Sequence, residues 1–193
     1  MRFRFKDSDD ISVGDVLMFV LRGFTVEDER NAMDSLILYM LICVCLVFVG
    51  CASQHAVTEQ AAASTELLRL EQQVQRLVNQ YRISRHLPPL ISHGTISQQA
   101  RKHSQAMANR EVPLGHDRFE RRERAISEVL SFSAAAENVA YIQGYSDTAQ
   151  NAVNGWLRNT RHRENIEGDY TLTGIGVAID RHGAYYFTQI FWQ

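Results

Sequence analysis

Hydrophobic positions along this chain follow three different rhythms. From Leu36 to Ala52 they are unbroken: LILYMLICVCLVFVGCA, seventeen residues without a charge. Further on the spacing becomes helical. Leu67, Leu70, Val74, Leu77, Val78 and Tyr81 recur three and four apart, predicting a helix over about 65–85 that stops before Pro88-Pro89. Ile96, Ala100, His103, Ala106 and Met107 predict a second helix. Ala149, Ala152, Val153, Trp156 and Leu157 predict a third, with Ser146 as its N-cap. Near the end the period falls to two. Ile175, Val177 and Ile179 form one strand. Tyr185, Phe187, Gln189 and Phe191 alternate with Tyr186, Thr188, Ile190 and Trp192 in another, and Asp180-Arg-His-Gly183 is the hairpin loop between them. Helices followed by a terminal hairpin predict an α+β layered domain, and roughly 130 residues are enough to bury a core of their own.

The apolar run divides the chain into 1–35, 36–52, a linker at 53–65 rich in Ala, Gln, Ser and Thr, and the domain at 66–193. A spanning helix needs about 17–25 apolar residues, so 36–52 is long enough, whereas a signal-peptide core is about 7–15. One reading is a single transmembrane helix. The second is a lipoprotein signal, because Phe48-Val49-Gly50-Cys51 is similar to a lipobox whose cysteine, here Cys51, carries the lipid. A buried core helix is the third, although the run has no polar face. Arg22 and Arg30 precede the run, and no Lys or Arg occupies 52–66. That bias puts the N-terminus inside and exports the domain. Residues 1–32 mix Phe, Val, Leu and Asp. They read either as a short cytoplasmic segment or as the product of too early a start, with Met33 the alternative.

Composition narrows the class. Hydrophobic residues make up 45% and charged residues 22%, which excludes a disordered or polytopic chain. Formal charge is −2, and beyond residue 51 there are 15 basic and 14 acidic groups, so no field favours nucleic acid. The three cysteines, Cys43, Cys45 and Cys51, all lie in or beside the apolar run. A disulfide framework is therefore excluded for the domain. The charged stretch His116 to Arg124 reads as a solvated face, because acids interrupt its arginines, and Glu120 and Arg124 are spaced to pair on a helix.

Candidate chemistry is sparse. There is no nucleophile elbow, no His-Glu-x-x-His, no phosphate loop and no dinucleotide fingerprint. His55, His86, His93, His103 and His182 read as structural. His116, after Gly115 in a loop, and His162, just past a helix end, stand apart. Glu137 is one carboxylate in the otherwise uncharged Ala135–Ala140 segment. Burying it costs several kcal/mol unless it is paired, so a histidine partner is expected. Trp156 and Trp192 read as core residues, and Gly174 and Gly176 as points of close approach.

Taken in order, several blocks resemble one family. They are Leu77-Val-Asn-Gln-Tyr-Arg82, Leu87-Pro-Pro-Leu90, Ala100-Arg-Lys-His-Ser-Gln-Ala-Met107, Gly115-His-Asp117, Ala136-Glu-Asn-Val-Ala140, Ala152-Val-Asn-Gly-Trp156, His162-Arg-Glu-Asn-Ile166, Thr173-Gly-Ile-Gly-Val177 and Tyr186-Phe-Thr-Gln-Ile-Phe191. Over residues 70–192 the chain resembles the CAP superfamily (cysteine-rich secretory proteins, antigen 5 and pathogenesis-related 1) in its bacterial form. The resemblance implies a three-layer α-β-α sandwich with a cleft lined by histidine and glutamate. Carried over residue by residue, it implies a ligand cleft of His116, Glu137, His162, Tyr186 and Gln189. The pattern is incomplete. Asn159 stands where the second glutamate would be, Tyr186 where eukaryotic members have a histidine, and Arg161 where a glycine usually precedes His162.

Some members bind a divalent metal in this cleft, and His116 and His162 with one carboxylate would suit zinc with an open fourth position. The same set would equally serve as a hydrogen-bonded network in which Glu137 fixes a tautomer. Three functions remain open. One is a membrane-anchored, exported, non-enzymatic module that binds a lipid, sterol or peptide ligand or a protein. Another is a metal-dependent hydrolase in which Glu137 is the catalytic candidate that activates water. The last is a structural protein of the cell envelope.

Overall fold

The computed structural model describes Met40, residues 60–131 and residues 133–193. The chain divides after Val57, and Thr58–Gln193 forms a unit of its own. The apolar run 36–52 (Met40 aside), Cys51 and residues 1–35 lie outside the described residues. Among the described residues, no helix is long and apolar enough to cross a membrane.

The domain opens with α1, helical over 60–84. Residues 60–65, expected in the linker, are already helical, and Ser64 and Thr65 donate back to the carbonyls of Gln60 and Ala61. There follow β1 (Ile91–Ser92), α2 (Gly94–Ala108), α3 (Phe119–Ser127), β2 (Ala135–Ile142), α4 (Thr148–Arg158), α5 (Thr160–Glu167), β3 (Leu172–Ile179) and β4 (Tyr185–Trp192). The sheet order is β1-β3-β4-β2, with β1 parallel to β3 and the other pairs antiparallel.

Three layers result, because alternate residues of each strand serve opposite faces. On one face Leu70, Val74 and Val78 of α1, with Trp156 of α4 and Ile166 of α5, pack on Ile175, Val177, Phe187 and Phe191. On the other, Ile96 and Ala100 of α2 and Ile126 of α3 pack on Ile190 and Trp192. Gly174 and Gly176 let α2 lie directly on β3. A Cβ on Gly174 would strike the backbone of Ile96 and Ser97, and one on Gly176 that of Ala100 and Arg101. Arg82, fully buried, ties the ends of α1 and α5 together by donating to the carbonyls of Ile166, at 2.7 Å, and Gly168, at 2.9 Å.

Local corrections follow from side-chain bonding. Asp147, not Ser146, caps α4 by accepting from the Gln150 N–H. His162 lies past the end of α4, as expected, but already in the first turn of a further helix, α5. Asn159 stops α4 in an extended conformation and caps α5 by accepting from the His162 N–H. Strand β2 has weak strand propensity, with three alanines and a Glu-Asn pair in eight residues. It forms because β4 pairs with it along its whole length.

Helix side chains reach backbone groups on both β2 and the open part of β3. On β2, Asn165 donates to the Glu137 carbonyl and the Trp156 indole to the Val139 carbonyl. On β3, beyond the two-residue β1, the Glu71 carboxylate accepts from the Val177 N–H and holds Arg101 of α2 in a fork at 2.6–3.0 Å.

Candidate functional site

Strand alternation turns Glu137 toward the α2–α3 layer, where its side chain is 1% exposed. Isolated burial of a carboxylate would cost several kcal/mol. The cost is met by three donors. Arg122 of α3 forks onto the carboxylate, Nε to Oε2 and Nη2 to Oε1, both at 2.8 Å. His116 Nδ1 lies 3.0 Å from Oε1, and since a carboxylate only accepts, that nitrogen carries the proton.

The other edge of Arg122 fixes the surrounding groups. Its Nη1 donates to the Asp117 carbonyl at 2.8 Å and to His103 Nδ1 at 3.1 Å. His103 Nε2 then donates to the Gly115 carbonyl at 2.8 Å. His103 is therefore neutral, protonated on Nε2 only. Burial holds its pKa below the ordinary value, with Arg122 adding to the effect and the Gly115 bond opposing it. Buried charge is thus balanced as one cation on one anion. Gly115, at φ +148°, supplies a backbone turn that side-chain-bearing residues rarely adopt, and this turn places its carbonyl on His103 and the next residue on Glu137.

His162 approaches from the opposite layer. Asn138 donates to its carbonyl at 2.9 Å, and Asn165 joins Asn138 to the Glu137 backbone. The His116 and His162 rings meet edge-on, with centroids 6.3 Å apart and planes inclined at 65°. Burial, then the neighbouring His116, lowers the His162 pKa, favouring a neutral imidazole. The His116 side chain is 50% exposed.

The structure brings His116, Glu137 and His162 together and leaves two expected residues out. Tyr186 is buried against Tyr141, with rings 5.2 Å apart, and its strand neighbour Ile190, not Tyr186 itself, is level with Glu137. Gln189 sits on the opposite sheet face, fully buried, donating to Thr173 Oγ1. Both belong to the inner strand β4 and are buried, and the Gln189 Oε1 has no hydrogen-bond partner among the described residues. The sequence reading also missed Arg122 and His103. Arg122 was hidden in a stretch read as solvated, yet it is the one arginine there that is buried. His103 carried a signal in sharing the apolar face of Ile96, Ala100 and Met107.

A metal set of His116, His162 and Glu137 does not fit this geometry. Glu137 already accepts three hydrogen bonds, and His116 turns its protonated nitrogen toward it. Among the described residues, no group of three or more His, Cys, Asp or Glu side chains is arranged to hold an ion.

Comparison with known proteins agrees with this fold. The family model of the cysteine-rich secretory protein family (CAP) matches residues 75–191. Among solved structures, an extracellular protein containing an SCP domain from Bacillus anthracis is 26% identical. The match has a TM-score of 0.52 and covers 66% of this chain and 41% of the other. An outer surface protein from Borrelia burgdorferi is 18% identical with a TM-score of 0.53, covering 62% and 88%. A cysteine-rich secretory protein from Staphylococcus aureus is 17% identical with a TM-score of 0.53, covering 65% and 39%. The chain thus spans about two fifths of the Bacillus and Staphylococcus proteins. No curated protein matches. With the family model spanning more than half of its length, and with bacterial structures sharing its fold, this chain belongs to the CAP family, in its bacterial form.

Proposed function

We propose that the domain is an extracytoplasmic, non-enzymatic binding module whose ligand enters between His116 and His162. The observation that carries this reading is the saturation of Glu137. A general base needs an accessible lone pair within reach of water. Here the carboxylate is buried and accepts two bonds from Arg122 and one from His116. Its role is to hold the His116 ring through Nδ1, which leaves Nε2 for a ligand. A purely structural role suits His103, which is enclosed, but not half-exposed His116. The extracellular and outer-surface descriptions of the structural neighbours support export. We assign anchoring to residues 36–52, as a spanning helix or through lipid on Cys51.

The test is a displayed peptide library panned on the full chain in neutral micelles, with the His116→Ala/His162→Ala variant as counter-selection. Enriched peptides that lose at least tenfold in affinity on the double variant support the reading. The reading falls if zinc instead binds at micromolar strength, is lost in the double variant, and supports hydrolysis abolished by Glu137→Gln.

A further inference from the structure

Helix packing sorts the charges of α3 in a way the sequence order conceals. Along the chain Arg118, Arg121, Arg122 and Arg124 alternate with Asp117, Glu120 and Glu123. In three dimensions a groove of about 360 Å³ runs between α2 and the start of α3, lined by Lys102, Arg118, Arg121, Arg122 and His103. Glu120 and Glu123 do not line it. The one acid that does, Asp117, is held by Arg118 at 3.3 Å. Arg122 at its inner side is neutralised by Glu137. Lys102 and Arg121 are exposed, and neither has an ion-pair partner among the described residues. Two uncompensated cations therefore face one concave surface, in a domain whose charges otherwise nearly cancel. Neither His116 nor His162 lines this groove.

We propose that this groove is a second binding site, for a phosphate group carried on a phosphomonoester or phosphodiester. The chemistry favours that class. A planar guanidinium presents paired donors that match two phosphate oxygens, and an ammonium adds a point charge from the facing wall. Arg121 supplies the first from α3 and Lys102 the second from α2. Arg118 is already shared with Asp117. A carboxylate also fits the guanidinium fork but has only two oxygens, whereas a phosphate keeps further oxygens for the ammonium. A nucleic acid would need a longer basic track than two residues. Arg122 and His103 are shared with the Glu137 network, but the two cations assigned to the phosphate, Lys102 and Arg121, are not part of it.

The experiment is a calorimetric titration of the full chain in neutral detergent micelles at constant ionic strength. Inorganic phosphate and glycerol 1-phosphate are the free probes. Dihexanoyl-phosphatidylglycerol, with dihexanoyl-phosphatidylcholine as its control, is the lipid probe. The expected result is saturable binding of at least one probe, weakened tenfold or more by Lys102→Gln/Arg121→Gln and unchanged by His116→Ala/His162→Ala. Because Lys102 and Arg121 are exposed, the first variant keeps the fold, checked by an unchanged unfolding midpoint. Preference for phosphatidylglycerol over glycerol 1-phosphate assigns the site to a lipid headgroup, and equal strength assigns it to free phosphate. Saturable binding that survives Lys102→Gln/Arg121→Gln, or no binding of any probe, overturns the proposal.

Discussion

Replacing Arg122 by Met tests the buried network directly. Arg122→Met keeps most of the side-chain volume but removes two bonds to Glu137, one to Asp117 and one to His103. Glu137, 1% exposed, is left as a buried carboxylate with only His116 donating to it. Breaking such a pair by removing one partner costs about 3–5 kcal/mol. For a domain of this size each kcal/mol moves the midpoint by about 4 °C, so Tm should fall by roughly 10–20 °C. Glu137→Gln should cost a similar amount, because it strands the guanidinium instead. The double variant removes both charges together and should recover most of the loss, giving a coupling of at least about 3 kcal/mol. Urea unfolding followed by fluorescence of the two buried tryptophans, Trp156 and Trp192, reads all four proteins on one scale. If the single losses simply add, or if Arg122→Met costs under about 1 kcal/mol, the pair is not coupled and the account of the site is wrong.

Other outcomes follow from the same packing. Gly176→Ala should destabilise by about 3 kcal/mol or more, since the new methyl meets the α2 backbone at Ala100 and Arg101; urea midpoints measure it. Gly155→Ala, inside α4 with open space at its Cβ, should stabilise by up to about 1 kcal/mol, and the same assay would show a rise. For His103 the folded pKa is lowered, so the unfolded chain binds the extra proton first. Stability should be full above about pH 6.5 and fall as the pH drops below that value. Unfolding free energies between about pH 7.5 and 5.5 should show this slope, and His103→Gln should reduce it, leaving the part due to His162, whose pKa is also lowered.

Legibility in the sequence depended on whether a residue's role was written in its neighbours. Strands β3 and β4 have clean alternation, and their glycines fall where α2 presses on the sheet, so the hairpin and its packing could be read directly. Strand β2 could not. Its alanines give no period, and its Glu-Asn pair looks like a break until Arg122, His116, His162 and Asn165 are seen around it. Helix α5 was missed because a single residue, Asn159, both ends one helix and starts the next. The pairing of His116 with Glu137 was expected from the cost of burying one acid. The larger partner, Arg122, was not, because nothing local distinguishes one arginine from three others in the same charged stretch. Tyr186 and Gln189 were placed by resemblance alone, and strand geometry sends their side chains into packed layers.

The helix side chains bonded to the outer strands bear on how such a domain behaves in company. An open strand edge is a template on which any extended chain can add, including another copy of the same protein. Here the carbonyls of Glu137 and Val139 and the amide of Val177 are already taken by Asn165, Trp156 and Glu71. Many copies held side by side on one surface would collide often, yet these backbone groups offer a neighbour no free place to pair. At these positions strand addition would first have to displace Asn165, Trp156 or Glu71, which favours contacts between side chains, specific and reversible, over strand addition that grows without limit.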